Sequence, residues 1–140
     1  MGHCVSLADL LNEVAEALEP LAAEVDDLTV YPYWADEPSP PALDVYPGTP
    51  FQAGAGFGAG NNQVFLTVRA RVAMADPGAA QATLVRLLDP DDPASVEVAL
   101  SAVDGMAIAE GGVSGFTVYA DDAPVQERLL GCEWRVTTFL

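Results

Sequence analysis

The sequence predicts an α+β fold: a single domain built on a twisted, mostly antiparallel β-sheet, with an N-terminal helix and a helical hairpin packed on it. Three observations carry this expectation. The stretch Gln63 to Met74, QVFLTVRARVAM, puts Val64, Leu66, Val68, Ala70 and Val72 on one side and Phe65, Thr67, Arg69 and Arg71 on the other. A period of two is that of a strand, whose successive side chains point to opposite faces of a sheet. Ser6 to Asp27 instead spaces Leu7, Leu10, Leu11, Val14, Leu18, Leu21 and Val25 by threes and fours, which gathers them into one apolar helical stripe. Finally, a chain of 140 residues suits one domain able to bury a core without disulfide or metal staples.

Taken in order, Ser6 caps the first helix with Asp9 three residues on. Pro20 predicts a kink or break, because an interior proline loses a backbone hydrogen bond. Leu28 to Trp34 reads as a strand, placed by Pro32 at a sheet edge or broken there. Ala35 to Pro41, ADEPSPP, is a loop by composition, and a short strand at Ala42 to Tyr46 ends at Pro47 and Gly48. Gly48 to Asn62, GTPFQAGAGFGAGNN, reads as a long loop without secondary structure. Its glycines make it costly to order alone, so Phe51 and Phe57 are expected to become ordered against a neighbouring subunit or partner.

The alternating strand then forms the central rail. Asp76-Pro77 opens a helix striped by Ala80, Leu84, Leu87 and Leu88 and stopped by Pro90. Asp92 as cap and Pro93 at the first position open a second helix, with Val96, Ala99, Leu100 and Val103 buried, so that the pair forms the helical hairpin. Asp104-Gly105 and Gly111-Gly112 punctuate a loop. Val113 to Ala120 returns as a strand, Asp121 to Pro124 turns, and the final strand alternates Leu130, Cys132, Trp134, Val136 and Thr138 against Glu133, Arg135 and Thr137.

Composition excludes several functions. With 21 acidic residues against 5 basic ones and a formal net charge of −16, the chain is a poor ligand for nucleic acid, whose binding relies on Lys and Arg. Lysine is absent, which removes Schiff-base chemistry and the phosphate-gripping lysine of a P-loop. His3 is the single histidine, so a histidine triad or metal site is not expected. Gly54, Gly56 and Ala59 fit a loose dinucleotide fingerprint but run into a strand rather than a helix. Asp89 to Pro93 lacks the ligand pattern of a calcium loop. Cys4 and Cys132 have no metal spacing, and Cys132 reads as a small buried hydrophobe. No apolar run reaches the length of a membrane span, and the first residues lack the pattern of a signal peptide, which predicts cytoplasmic origin.

No catalytic residue, cofactor site or metal ligand is therefore assigned, and no cofactor is expected. The candidate functional residues are those of a subunit or partner interface: Phe51, Phe57, Arg69, Arg71, Arg128 and Arg135. Each arginine sits in a strongly negative field, so its cheapest partner is a carboxylate. Arg69 and Arg71 share the polar side of the central strand, where acids across the sheet or on the next subunit can reach them. The acidic run from Glu13 to Asp27 reads as a solvated helix face, with a docking face as the alternative.

Five stretches carry a resemblance: SLADLLNEVAEAL, LTVYPYWADEPSPPALDVYPG, QVFLTVRARVAMAD followed by AAQATLVRLLD, SVEVALSAVDG, and the closing LLGCEWRVTTFL. In composition and order the whole chain resembles the tail terminator proteins of long-tailed, siphovirus-type bacteriophages of actinobacterial hosts. The resemblance implies a virion structural protein that forms a homo-oligomeric ring, commonly a hexamer. Such a ring stops polymerisation of the tail-tube protein and joins the tail to the head-tail connector or stopper. DNA passes through its lumen without specific binding, and no membrane is involved. Assembly takes place in the host cytoplasm. Three other readings stand beside it: another neck or tail-completion protein, a small acidic inhibitor or immunity-type protein that masks a basic partner, and an enzyme working with carboxylates alone.

Overall fold

A computed structural model describes residues 6–36, 38–53, 63–119, 122–124 and 127–139. Its rail is strand β3, Gln63–Ala73, numbered after β1, Thr29–Tyr31, and β2, Ala42–Ala53. Three strands follow it in the chain: β4, Ala107–Val113, β5, Thr117–Tyr119, and β6, Leu129–Phe139. β3 pairs antiparallel with β6 along its whole length, from Gln63 opposite Phe139 to Ala73 opposite Leu129. On its other side it pairs antiparallel with β2, and β2 pairs in parallel with the short edge strand β1. The far side of β6 carries β4 and β5 one after the other, both antiparallel. The described strands thus form one six-stranded, mostly antiparallel sheet in the order β1-β2-β3-β6-β4, with β5 also against β6.

The alternation of β3 decides which face is core. Val64, Leu66, Val68, Ala70 and Val72 are buried, together with Leu43 and Val45 of β2 and Cys132, Trp134 and Val136 of β6. Three helices cover this face. Helix α1, Leu7–Leu18, is capped by Ser6, whose hydroxyl accepts the Asp9 amide at 3.1 Å. It contributes Leu10, Val14 and Leu18. Around Pro20 the chain tightens into a 3-10 helix, Glu19–Ala23, which is the expected break. Helix α2, Pro77–Leu88, starts at the Asp76 cap and contributes Ala80, Leu84 and Leu87. Helix α3, Val96–Leu100, adds Val96 and Leu100. All of these side chains belong to one apolar cluster, and full burial of each Leu or Val contributes roughly 1.5–3 kcal/mol.

The structure corrects four local expectations. β2 does not end at Pro47 and Gly48 but runs on to Ala53, with a register shift between Pro47 and Gln52. The irregularity accommodates prolines, which cannot donate to the ladder. Residues 48–53 of the expected loop are therefore strand, and 54–62, including Phe57, lie outside the described residues. α3 is only five residues long and is capped by Ser95, not Asp92. The Asp92 carboxylate instead accepts the Ala94 amide and binds Arg86, closing the turn before the helix. Gly111-Gly112 does not interrupt the sheet. It lies in a bulge of β4 between the pairs Ile108–Val136 and Val113–Trp134. Finally, β3 is not half-exposed throughout, since from Val68 to Val72 both of its faces are buried.

Candidate functional site on the helix-free face

Among the described residues, the second face of the sheet carries no helix. Strand register builds it in rungs: Asp44 opposite Arg69 opposite Glu133, then Tyr46 opposite Thr67 opposite Arg135, with Ala42, Arg71 and Gly131 on the other side. The chain between β1 and β2 folds back over the first of these rungs, which is why β3 is buried on both faces there. Ala35 is the anchor. Its amide donates to Asp44 Oδ2 at 3.1 Å, and its carbonyl accepts from Arg71 at 2.7 Å and Arg69 at 3.5 Å.

Asp44 has no exposed side-chain surface and receives both arginines. Arg69 approaches side-on, with Nε to Oδ1 at 3.2 Å and a terminal nitrogen to Oδ2 at 2.6 Å, while Arg71 reaches Oδ2 at 3.1 Å. Burial works against the charge on both guanidiniums. For Arg69 the hydrogen bond and charge of Asp44 outweigh it and its pKa ends raised. For Arg71 burial, helped by the repulsion of Arg69, leaves it lowered. The Arg69 guanidinium also lies 4.8 Å from the Trp34 ring, 5.0 Å from Tyr46 and 5.5 Å from Tyr119, so its charge is held by π-faces as well as by a carboxylate. Tyr46 is pushed up to about 12 by burial, against the pull of Arg69. Tyr119 is raised by burial and by the 2.7 Å hydrogen bond its hydroxyl donates to Glu133.

Beside this cluster an open groove of about 430 Å³ crosses the face. Tyr46, Thr67 and Arg135 form its floor. Trp34 is one wall, 59% exposed and packed on Tyr46 with ring centroids 4.6 Å apart. Gly111 and Gly112 of the β4 bulge, with Ser114 just past the strand, form the other. The bulge lies so close to β6 that a Cβ on Gly112 would stand 2.6 Å from the carbonyl oxygens of both Ala109 and Arg135. Arg135 stacks its guanidinium 3.9 Å over Phe65. Its Nε is buried without a hydrogen-bond partner, and among the described residues it forms no ion pair.

The expected interface residues are thus scattered. Arg69 and Arg71 found their acid across the sheet within the same chain, and at 5% exposure each they offer a neighbour little to touch. Phe51 packs against the edge of the core. Arg128 donates from Nε to the Ala123 carbonyl at 2.9 Å. Of the five that lie among the described residues, Arg135 alone lines the groove. Sequence reasoning missed Asp44, Trp34, Tyr46 and Glu133. The signal for Asp44 was its place between core residues Leu43 and Val45, which sends it to the face opposite the core. The groove offers recognition: an aromatic wall, the hydroxyls of Tyr46, Thr67 and Ser114, the Glu133 carboxylate and one guanidinium. Among the described residues no group of three His, Cys, Asp or Glu is placed to hold a metal ion, and no helix is long and apolar enough to cross a membrane. No protein-family profile and no curated protein sequence matches the chain.

Proposed function

We propose that the chain is a ring-forming virion protein of the tail-terminator type, which stops tail-tube polymerisation and joins the finished tail to the head-tail connector while DNA passes through its lumen. The observation that carries this reading is the division of the surface. One face of the sheet is sealed by helices, whereas the other keeps Tyr33 and Trp34 exposed at 58% and 59%. Val113, Phe116 and Val118 stand exposed along the β4–β5 edge. A head-to-tail contact between identical subunits uses two different regions of each, and closes into a ring when the rotation between them closes. Exposed Trp and Tyr next to arginine is also the composition of interface hot spots. The resemblance of the whole chain in composition and order points the same way, and the strong acidity suits a conduit through which DNA slides without being held.

Light scattering after size exclusion tests this reading. The expected result is a closed oligomer several times the 14.6 kDa chain mass, and rings in electron micrographs that cap tubes of the tail-tube protein. A chain that stays monomeric and leaves tube length unchanged overturns it. The net charge favours one rival, a monomeric acidic inhibitor. That reading predicts one-to-one capture of a basic enzyme and no self-association.

A further inference from the structure

The groove carries the Arg135 guanidinium beside the Glu133 carboxylate, which already accepts the Tyr119 hydroxyl, whereas the charged groups of one other surface of the same chain are all carboxylates. In a molecule with 21 acids and 5 arginines, Arg128 and Arg135 form no ion pair among the described residues, and of these two only Arg135 has a buried nitrogen without a hydrogen-bond partner, since Arg128 Nε donates to the Ala123 carbonyl. Arg69 and Arg71 share Asp44, and Arg86 lies on Asp92 and Glu24. Arg135 reaches no carboxylate among the described residues, although its Nε is already buried. Partial desolvation without a counter-charge is costly for the isolated subunit and favours a partner that brings a carboxylate.

Helix α1 presents such carboxylates. Asp9, Glu13 and Glu16 are exposed, recur at spacings of three and four, and line a shallow concavity that Pro32 helps to close. None of the three forms an ion pair among the described residues. Because α1 packs on the core face of the sheet while the groove lies on the opposite face, one subunit cannot bring the two together within itself.

We propose that the groove receives the acidic face of α1 from the next copy of this chain, with Arg135 taking a carboxylate of Asp9, Glu13 or Glu16 and Trp34 covering the contact. This rests on the ring reading and gives that ring its heterologous contact. The groove of each subunit is filled by the helix of its neighbour, and only closure of the ring leaves none unfilled.

The test is charge exchange, read as ring formation by light scattering with circular dichroism and a thermal melt beside it. Arg135→Glu is expected to raise the protein concentration needed for assembly by at least about tenfold, the scale of losing one partner of a desolvated charge pair. Glu13→Arg with Glu16→Arg should do the same. These positions are exposed on a helix, so this variant keeps the contact testable even where Arg135→Glu disturbs the fold. The three substitutions together should restore assembly. Glu97→Arg with Asp104→Arg, which changes the net charge equally elsewhere on the surface, should leave it intact. Rings unaffected by Arg135→Glu or by the α1 pair, no recovery in the triple variant, or equal damage from the control pair would each overturn the contact while leaving the ring reading standing. A wild-type chain that never associates overturns both.

Discussion

Asp44 holds a buried position that only its two arginines make tolerable. Taking one guanidinium away leaves a carboxylate in an interior too poor in water to solvate it, and breaking a buried pair in this way costs about 3–5 kcal/mol. Arg69→Ala is expected to fall in that range, read as a lower urea midpoint at unchanged slope. Arg71→Ala should cost less, because Arg69 makes the side-on pair with Asp44 and the three aromatic contacts. A loss below about 1 kcal/mol for Arg69→Ala would place the cluster with exposed ion pairs. A second residue prediction follows from protons. Burial, then the charge of Glu133, pushes the Cys132 thiol up from 9.0 to about 12, and burial pushes Tyr46 up from 10.0 to about 12. Both groups hold their protons more tightly folded than unfolded. Their contribution is therefore complete below pH 9 and is lost as pH climbs toward 12. The melting temperature should fall steadily above about pH 9, and Cys132→Ala should remove the earliest part of that fall. A flat profile in the wild type between about pH 8 and pH 11 would contradict the burial of these groups.

At the scale of elements, the open face depends on two close approaches that only glycine allows. A Cβ on Gly131 would run into the Ala70 carbonyl and stand 2.7 Å from the Tyr119 ring, and one on Gly112 would press on two carbonyls at 2.6 Å. Gly131→Ala and Gly112→Ala are each expected to destabilise by about 1–3 kcal/mol, the usual cost of overpacking. Gly112→Ala should in addition shift the bulge that walls the groove. Melting temperatures equal to wild type would show that the bulge has room to relax. The contrast between strands explains what the sequence revealed. The core face of β3 was legible because its period of two runs unbroken from Val64 to Val72, and Ser6 and Asp76 were legible because capping is local chemistry. The length of β2 was not, since Pro47 and Gly48 are terminators by local rule and only pairing with β3 carries the strand past them. Asp92 reads as a cap by the same local rule, but its carboxylate accepts from the Ala94 amide and from Arg86 instead. The groove needed still more distant information. Alternation sends Asp44 and Tyr46 away from the core, but the register that sets them beside Arg69, Thr67 and Arg135 is a tertiary fact. So is the fold-back that lays Trp34 over Tyr46.

For the whole molecule, the net charge of −16 opposes every association between copies, whereas the proposed contact between Arg135 and an α1 carboxylate is attractive. Distance decides which term salt weakens more. The repulsion is summed over acids spread across both subunits and acts over tens of ångströms, while the ion pair acts within about 4 Å in a groove that the docked helix would close to water. The screening length is about 30 Å at 0.01 M salt and about 8 Å at 0.15 M. Raising salt over that interval therefore removes most of the long-range repulsion and little of the contact. Ring formation at fixed protein concentration is expected to increase from about 0.01 M to 0.15 M salt and then level off, rather than decline. Light scattering across a salt series reads this directly. Rings that form at low salt and dissolve as salt rises would mean that attraction between extended charged patches, not a desolvated contact, holds the copies together. Neutralising exposed acids away from α1, for example Glu97→Gln with Asp104→Asn, should shift the onset of assembly to lower salt. The same number of neutralisations at Glu13 and Glu16 should shift it the other way, because there the loss of an attractive partner outweighs the relief of repulsion.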